Sequence, residues 1–233
     1  MRLYISVLLL SVLIGCKPNS TIQFDIKGHS IPIEQELKPA LSIQDIYNPY
    51  KVGLDSIMNE VLCYSPHFLE KKKPESRLNN WMADVCYKHS SINSEVDFCL
   101  LNYGGIRSTL PKGSITTRDI FQLMPFENEL VIVEIPSTSM SKVFDYLKIS
   151  GGHPISNLEV VIKDEHISHS LAQKETIKIA TSDYLANGGD KMFFFADSIA
   201  MVKTGLKIRD VLLLECRDID TLISTIDNRF SYE

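Results

Sequence analysis

Two strand-like runs, residues 96–101 and 177–181, each lead into a turn built on paired glycines. The first continues as Asn102-Tyr103-Gly104-Gly105-Ile106-Arg107. The second continues as Ser182-Asp183-Tyr184-Leu185-Ala186-Asn187-Gly188-Gly189-Asp190. Adjacent glycines open backbone conformations and allow a close approach that other residues block. A fold for this chain must therefore end two strands in tight turns. Each turn also sets an aromatic beside polar side chains, a combination suited to gripping a small, flat, charged ligand. A further aromatic, Phe126, follows Met124-Pro125 downstream of the first turn.

Helical and strand-like patterns alternate around these turns. Leu54, Ile57, Met58, Val61 and Leu62 fall at i, i+3, i+4, i+7 and i+8, and Leu78, Trp81, Met82, Val85 and Cys86 repeat that spacing. Both sets predict helices with an apolar face turned to a core. Thr116-Thr117-Arg118-Asp119 predicts a capping box that opens a short helix, and Pro125 ends it. Residues 129–135 and 158–162 read as strands. Thr138 is expected to cap a helix that turns Val143, Phe144 and Leu147 inward. Phe193-Phe194-Phe195 reads as a short buried strand or turn, residues 204–214 as a helix, and residues 22–33 as a strand or two. The expected fold class is α/β, a mixed α+β sheet covered by helices.

The 233-residue chain is 44% hydrophobic and 23% charged, which suits a globular protein with a proper core. Its net charge of −5 is spread along the chain. That argues against polymeric nucleic acid, which needs a basic stripe. One small anion held by local cations stays compatible.

The N-terminus reads as a targeting segment. Met1-Arg2 gives a positive start, residues 3–14 are a short apolar run, and Gly15-Cys16 follows. A small residue before cysteine at this place resembles the bacterial lipobox. The resemblance implies cleavage before Cys16, its acylation, and a lipid-anchored protein of the cell envelope, periplasmic or surface-facing. The alternative is a plain secretory signal in which Cys16 is incidental. Residues 1–15 are thus expected to be a lipoprotein signal peptide, 16–48 a tether and N-terminal extension, and 49–233 the main domain. Cys63, Cys86, Cys99 and Cys216 show no C-x-x-C spacing, so a zinc site is not expected. Cys86 and Cys99 fall in apolar patterns as buried free thiols. Disulfides stay open in an exported protein.

Four blocks carry a family resemblance: Glu75-Ser76-Arg77-Leu78-Asn79-Asn80 with Ala83-Asp84, then residues 102–107, then Pro125-Phe126, then residues 184–190. In that order and spacing they resemble the C-terminal domain of the 5′-nucleotidase family, over residues from about 50 to 230. In that family the domain holds the nucleoside, and a separate N-terminal dimetal domain performs the hydrolysis. The resemblance implies that Phe126 and Tyr184 sandwich the base, with roughly 1–3 kcal/mol per stacked base. It implies that Asp190 accepts from the ribose hydroxyls, that Asn102 bonds the base edge, and that Arg107 offers its fork to the phosphate or ribose side. Each has a structural rival: core packing for the two aromatics, a surface charge for Arg107, a turn former for Asp190. The chain departs from the family at three places. Tyr184 stands where a phenylalanine is usual. Lys72 replaces an arginine and loses the bidentate fork. Arg77 stands in place of an asparagine, where it either supplies the lost guanidinium or marks an altered grip.

The motifs of the family's metal domain, which resemble D-x-H, G-D, G-N-H and G-H-x-H, do not occur as a set: G-N-H and G-H-x-H are absent from this sequence. His29, His67, His89, His153, His166 and His169 form no cluster with Asp, and His166 and His169 read as a polar loop or strand end. No G-x-S-x-G occurs either. No cofactor or metal is expected on this chain. The divalent metals are expected on a separate metallophosphatase partner, with a nucleotide or nucleoside as ligand. The alternatives are a non-catalytic nucleoside-binding lipoprotein and a scaffold.

Overall fold

The computed structural model describes residues 27–30, 32 and 40–233. Cys16 and most of the expected strand segment 22–33 lie outside the described residues, and residues 27–30 and 32 have no regular structure. Residues from Tyr47 to Glu233 form one compact unit.

The first described helix, α1 (Leu41–Met58), contains Pro49 and buries none of its side chains. The apolar spacing that ran on through Val61 and Leu62 therefore does not mark a core face. The helix stops at Met58, and β1 (Val61–Ser65) pairs antiparallel with the later strand Gly113–Thr116. Val61 and Leu62 suit either period, and backbone pairing decides between them.

The next helix, α2 (Arg77–Ser90), matches its predicted face: Leu78, Trp81, Met82, Val85 and Cys86 are all buried. The Ser76 side chain caps it by accepting from the Asn79 N–H at 3.1 Å. There follow β2 (Phe98–Leu100), β3 (Gly113–Thr116), α3 (Thr117–Leu123), β4 (Glu129–Pro136) and α4 (Met140–Ser150). Then come β5 (Ile155–Ser156), β6 (Val160–Lys163), β7 (His166–His169), β8 (Thr176–Ser182) and α5 (Asp183–Ala186). The chain ends through β9 (Ala200–Lys207), α6 (Ile208–Asp218) and β10 (Phe230–Tyr232).

A five-stranded sheet in the order β5-β2-β8-β4-β9 forms the centre. Its β2–β8 pair is parallel and its other pairs are antiparallel. Smaller sheets, β10-β6-β7 and β1-β3, flank it, so the fold is a mixed α/β one as expected. Because strand side chains alternate between faces, the apolar run 98–101 feeds two cores. Phe98 and Leu100 join Val131, Val133, Ile177 and Ile179 against α4. Cys99 and Leu101 join Leu130 and Ala180 against α2 and α6. A sheet buried on both faces explains why β2 and β4 read as continuous apolar stretches.

The capping box forms as predicted, with the Thr116 side chain accepting from the Asp119 N–H and Asp119 answering at the Thr116 N–H. Two expectations give way to pairing. The segment 204–207 is strand rather than helix, because Thr204 donates to the Leu130 carbonyl at 2.5 Å and Gly205 is left-handed at φ 74°. The helix begins at Ile208. Thr138 does not cap α4. A single 3₁₀ turn, Ser137–Ser139, precedes that helix, and the Ser139 hydroxyl is taken by Asp197 at 2.7 Å. Phe194 and Phe195 are buried in a 3₁₀ turn, while Phe193 is exposed. Cys63, Cys86, Cys99 and Cys216 are buried free thiols. His166 and His169 bound the strand β7.

Candidate nucleoside site

The parallel pair β2 and β8 places both glycine turns at one edge of the sheet. The turn 102–105 leaves the carboxyl end of β2, and α5 leaves the carboxyl end of β8. Because β4 runs antiparallel to β8, with Leu130 opposite Ser182, its preceding loop 124–128 lies at that same edge. Ligands of open α/β sheets collect at such an edge. Here a cavity of about 560 Å³ is lined by Asn102, Gly104, Arg107, Phe126, Tyr184 and Asp190, with Gly105, Glu127 and Asn128 completing it. The size suits a small-molecule pocket.

Each lining side chain is positioned by named contacts. A Cβ at Gly105 would lie 2.6 Å from the Asn102 Oδ1, so a larger residue there would have to displace the Asn102 side chain. The Asn102 amide donates to the Asp190 Oδ2 at 2.6 Å, joining the two turns. Arg107 donates to the Gly104 carbonyl at 3.3 Å and sits 5.8 Å from the centre of the Phe126 ring. Phe126 is 40% exposed and Tyr184 48% exposed, so neither is a core residue. The Phe126 carbonyl accepts from the buried Arg209 at 3.4 Å. Hydrogen bonds from Lys207 and then Arg209 pull the Glu127 carboxyl down to about 2. The Tyr184 hydroxyl donates to the Asp190 Oδ1 at 3.1 Å.

The structure brings together five of the seven ligand contacts expected from sequence. Lys72 and Arg77 are not among the residues that line the cavity. Lys72 offers its carbonyl to the Asn79 amide at 2.8 Å, and Arg77 donates to the Ser224 carbonyl at 3.2 Å. Both belong to the scaffolding of α2. The neighbouring Lys71 makes a side-chain contact with the turn after β2. Its ammonium donates to the Ile106 carbonyl at 2.7 Å and lies 4.5 Å from the centre of the Tyr103 ring. Burial, then the nearby Arg107 charge, lowers its pKa.

Three supporting residues gave no signal in the sequence. Asp183 links the loop before β4 to α5, as its Oδ1 accepts from Asn128, Glu129 and Tyr184. Tyr146 on α4 donates to the Asp190 carbonyl at 2.8 Å and stacks on His153 with ring centres 5.2 Å apart. Burial, then the Asp190 and Tyr184 charges, push the Tyr146 phenol up to about 12. His153 accepts from the Tyr103 N–H at 3.0 Å.

Burial and then the Lys73 charge hold the His153 pKa down to about 4, against the usual 6.5. The unfolded chain takes up a proton near pH 6.5, and the native state resists until about pH 4. Stability contributed by neutral His153 is complete above that window and is lost as pH falls through it. The slope should reach about 1.4 kcal/mol per pH unit. Urea midpoints read across the window should show it, and His153→Asn should flatten the curve there. An equal slope in the variant would remove His153 as the cause.

Among the described residues, no group of three or more His, Cys, Asp or Glu side chains is arranged to hold a metal ion. The donor set that dimetal chemistry requires is not assembled among them.

Residues 64–146 match the family 5′-nucleotidase, C-terminal domain. The 5′-nucleotidase of Vibrio vulnificus is 22% identical over 207 residues, covering 82% of this chain and 37% of that protein. The crystal structure of a Thermus thermophilus 5′-nucleotidase precursor superposes with a TM-score of 0.70 at 19% identity, covering 82% of this chain and 43% of that one. The NAD nucleotidase of Haemophilus influenzae superposes at 0.62 with 13% identity, over 83% of this chain and 41% of that one. The chain spans less than half the length of each. At these identities the structural likeness shows the fold, that of a 5′-nucleotidase C-terminal domain.

Proposed function

We propose that this chain is the nucleotide- or nucleoside-binding half of a 5′-nucleotidase-type phosphohydrolase, acting with a separate metallophosphatase in nucleotide catabolism. One observation carries the reading. Two half-exposed aromatics, an acidic side chain, an amide and a guanidinium converge on one cavity at the carboxyl edge of β2 and β8. Aromatic faces take a base through its π-system. A carboxylate accepts from sugar hydroxyls, and Arg107 with Lys71 beside it supplies positive charge for a phosphate. The partner would supply the divalent metals and the activated water. This chain would orient the leaving nucleoside. The protein would sit at the bacterial cell envelope, tethered through a lipid on Cys16.

Calorimetric titration with adenosine and with AMP tests the binding claim. Micromolar affinity is expected, and Phe126→Ala should weaken it about tenfold or more, because one stacking face is lost. Unchanged affinity in that variant would remove Phe126 from the site. No heat up to millimolar ligand would sink nucleoside binding by the isolated chain.

A further inference from the structure

The four buried thiols fall into two pairs that differ in how they can react. Cys63 lies on β1, and Cys216 lies on the inward face of α6 with Leu212 and Leu213. The chain is tied across on either side of this pair. Before Cys63, the Glu60 carboxylate accepts from Arg217 at 3.0 Å. After it, the Tyr64 N–H donates to the Asp220 carbonyl at 3.0 Å, and the Tyr64 carbonyl accepts from the Leu222 N–H at 2.8 Å. Between these ties the Cys63 and Cys216 thiols hydrogen-bond to each other. The second pair sits under α2. Cys99 stands opposite Ser156 on β5 and Ala180 on β8. The Ser156 hydroxyl donates at 2.5 Å to Asp84, two residues before Cys86, and the Cys86 and Cys99 thiols hydrogen-bond there.

Thiol–disulfide exchange needs an attacking thiolate and a path for the oxidant. The Cys63 pair has both. Cys63 keeps 6% of its surface exposed, whereas Cys86, Cys99 and Cys216 keep none. Its strand belongs to a two-stranded sheet, and Val61 and Tyr64 beside it are exposed. Local opening of so small a sheet disturbs little else. The hydrogen bond with Cys216 lowers the Cys63 pKa against the opposing effect of burial, and the same bond, then burial, raises that of Cys216. Cys63 is therefore the thiol of the pair that ionises first. Cys99 lies in the five-stranded sheet with a strand on each side, and burial pushes its thiol well up. A thiol so buried stays protonated and inert.

We propose that Cys63 and Cys216 are a redox-active dithiol that closes into a disulfide between β1 and α6, while Cys86 and Cys99 stay reduced. The oxidant is a small disulfide-bearing thiol compound. The Cys63 thiolate attacks one of its sulfurs and expels the other half as a thiolate, which leaves a mixed disulfide. Cys216 then gives up its proton and attacks the Cys63 sulfur, and the second half departs. The two protons of the pair end on the two released thiols. The dithiol loses two electrons, and the oxidant gains them. The bridge closes a loop over most of the compact unit, so it should stabilise the fold by restricting the unfolded chain. Nothing in this step depends on the nucleoside reading of the cavity.

The test starts from the full chain, folded and fully reduced, incubated with oxidised glutathione and quenched in acid. The remaining thiols are alkylated in denaturant, and the digested peptides are mapped by mass spectrometry. The expected map has Cys63 linked to Cys216, with Cys86 and Cys99 alkylated. The oxidised protein should also unfold at a higher urea midpoint than the reduced one. Cys216→Ser should stop at the mixed disulfide and carry glutathione on Cys63. Four alkylated cysteines in the wild type, or a link between Cys86 and Cys99, overturns the proposal. A Cys216→Ser protein that folds and takes no glutathione on Cys63 overturns the assignment of the attacking thiol. The wild-type map decides on the bridge even where that variant fails to fold.

Discussion

Supplied with AMP and Mg²⁺, Mn²⁺ or Zn²⁺, the purified chain should release no phosphate above the protein-free control. The reason is one of magnitude. Hydrolysis of phosphate monoesters is among the slowest uncatalysed reactions, and enzymes accelerate such reactions by up to about 10²¹-fold. Positioning alone supplies about 7–11 kcal/mol, or roughly 10⁵- to 10⁸-fold. A domain that only grips the nucleoside therefore falls more than about ten orders of magnitude short. The remainder needs a metal-activated nucleophile and charge neutralisation at phosphorus. No cluster of donors suited to that appears among the described residues. Adding a metallophosphatase that lacks a domain of this kind should restore turnover. Phosphate release that follows the chain through purification at constant specific activity would sink the divided-enzyme reading. Tight nucleoside binding with no turnover in any pairing would favour the non-catalytic binder instead.

What was legible in the sequence was local or periodic. The capping box at Thr116 is contained in four residues and formed as read. The inward face of α2 repeats over two turns and is buried as read. The glycine turns and their aromatics were visible because glycine and ring chemistry narrow the choices at single positions. Failures came where two periods share residues or where tertiary pairing decides. Val61 and Leu62 continue a helical spacing but lie in β1, and residues 204–207, expected to open a helix, belong to β9, the strand that pairs with β4. Near the site, Lys71 rather than Lys72 reaches the turn after β2, through its bond to the Ile106 carbonyl. His153, Tyr146 and Asp183 were illegible for a different reason. Each acts through a partner far along the chain, such as Tyr103 for His153 and Asp190 for Tyr146.

Replacing Asp183 with alanine should cost more affinity than removing a stacking ring, although Asp183 is not among the residues that line the cavity. A single oxygen, Oδ1, accepts from the Asn128 amide at 3.1 Å, the Glu129 N–H at 3.1 Å and the Tyr184 N–H at 2.8 Å. Phe126 lies two residues before Asn128, and Tyr184 is the next residue after Asp183. That oxygen therefore ties together the two backbones that carry the aromatics. Alanine leaves three donors without their acceptor. Lost bonds of this kind cost about 1–3 kcal/mol each when fully buried, and less here where water reaches them. A stability loss of about 2 kcal/mol is expected, read as a lower urea midpoint. The affinity for adenosine should fall on the order of 100-fold, because both stacking contributions depend on the spacing of the rings. Asp183→Asn keeps an oxygen of the same shape and should recover most of the binding. Failure of the asparagine variant to recover would mean that the charge matters rather than the tie. An alanine variant that binds adenosine like the wild type would mean that the two loops hold their spacing without it.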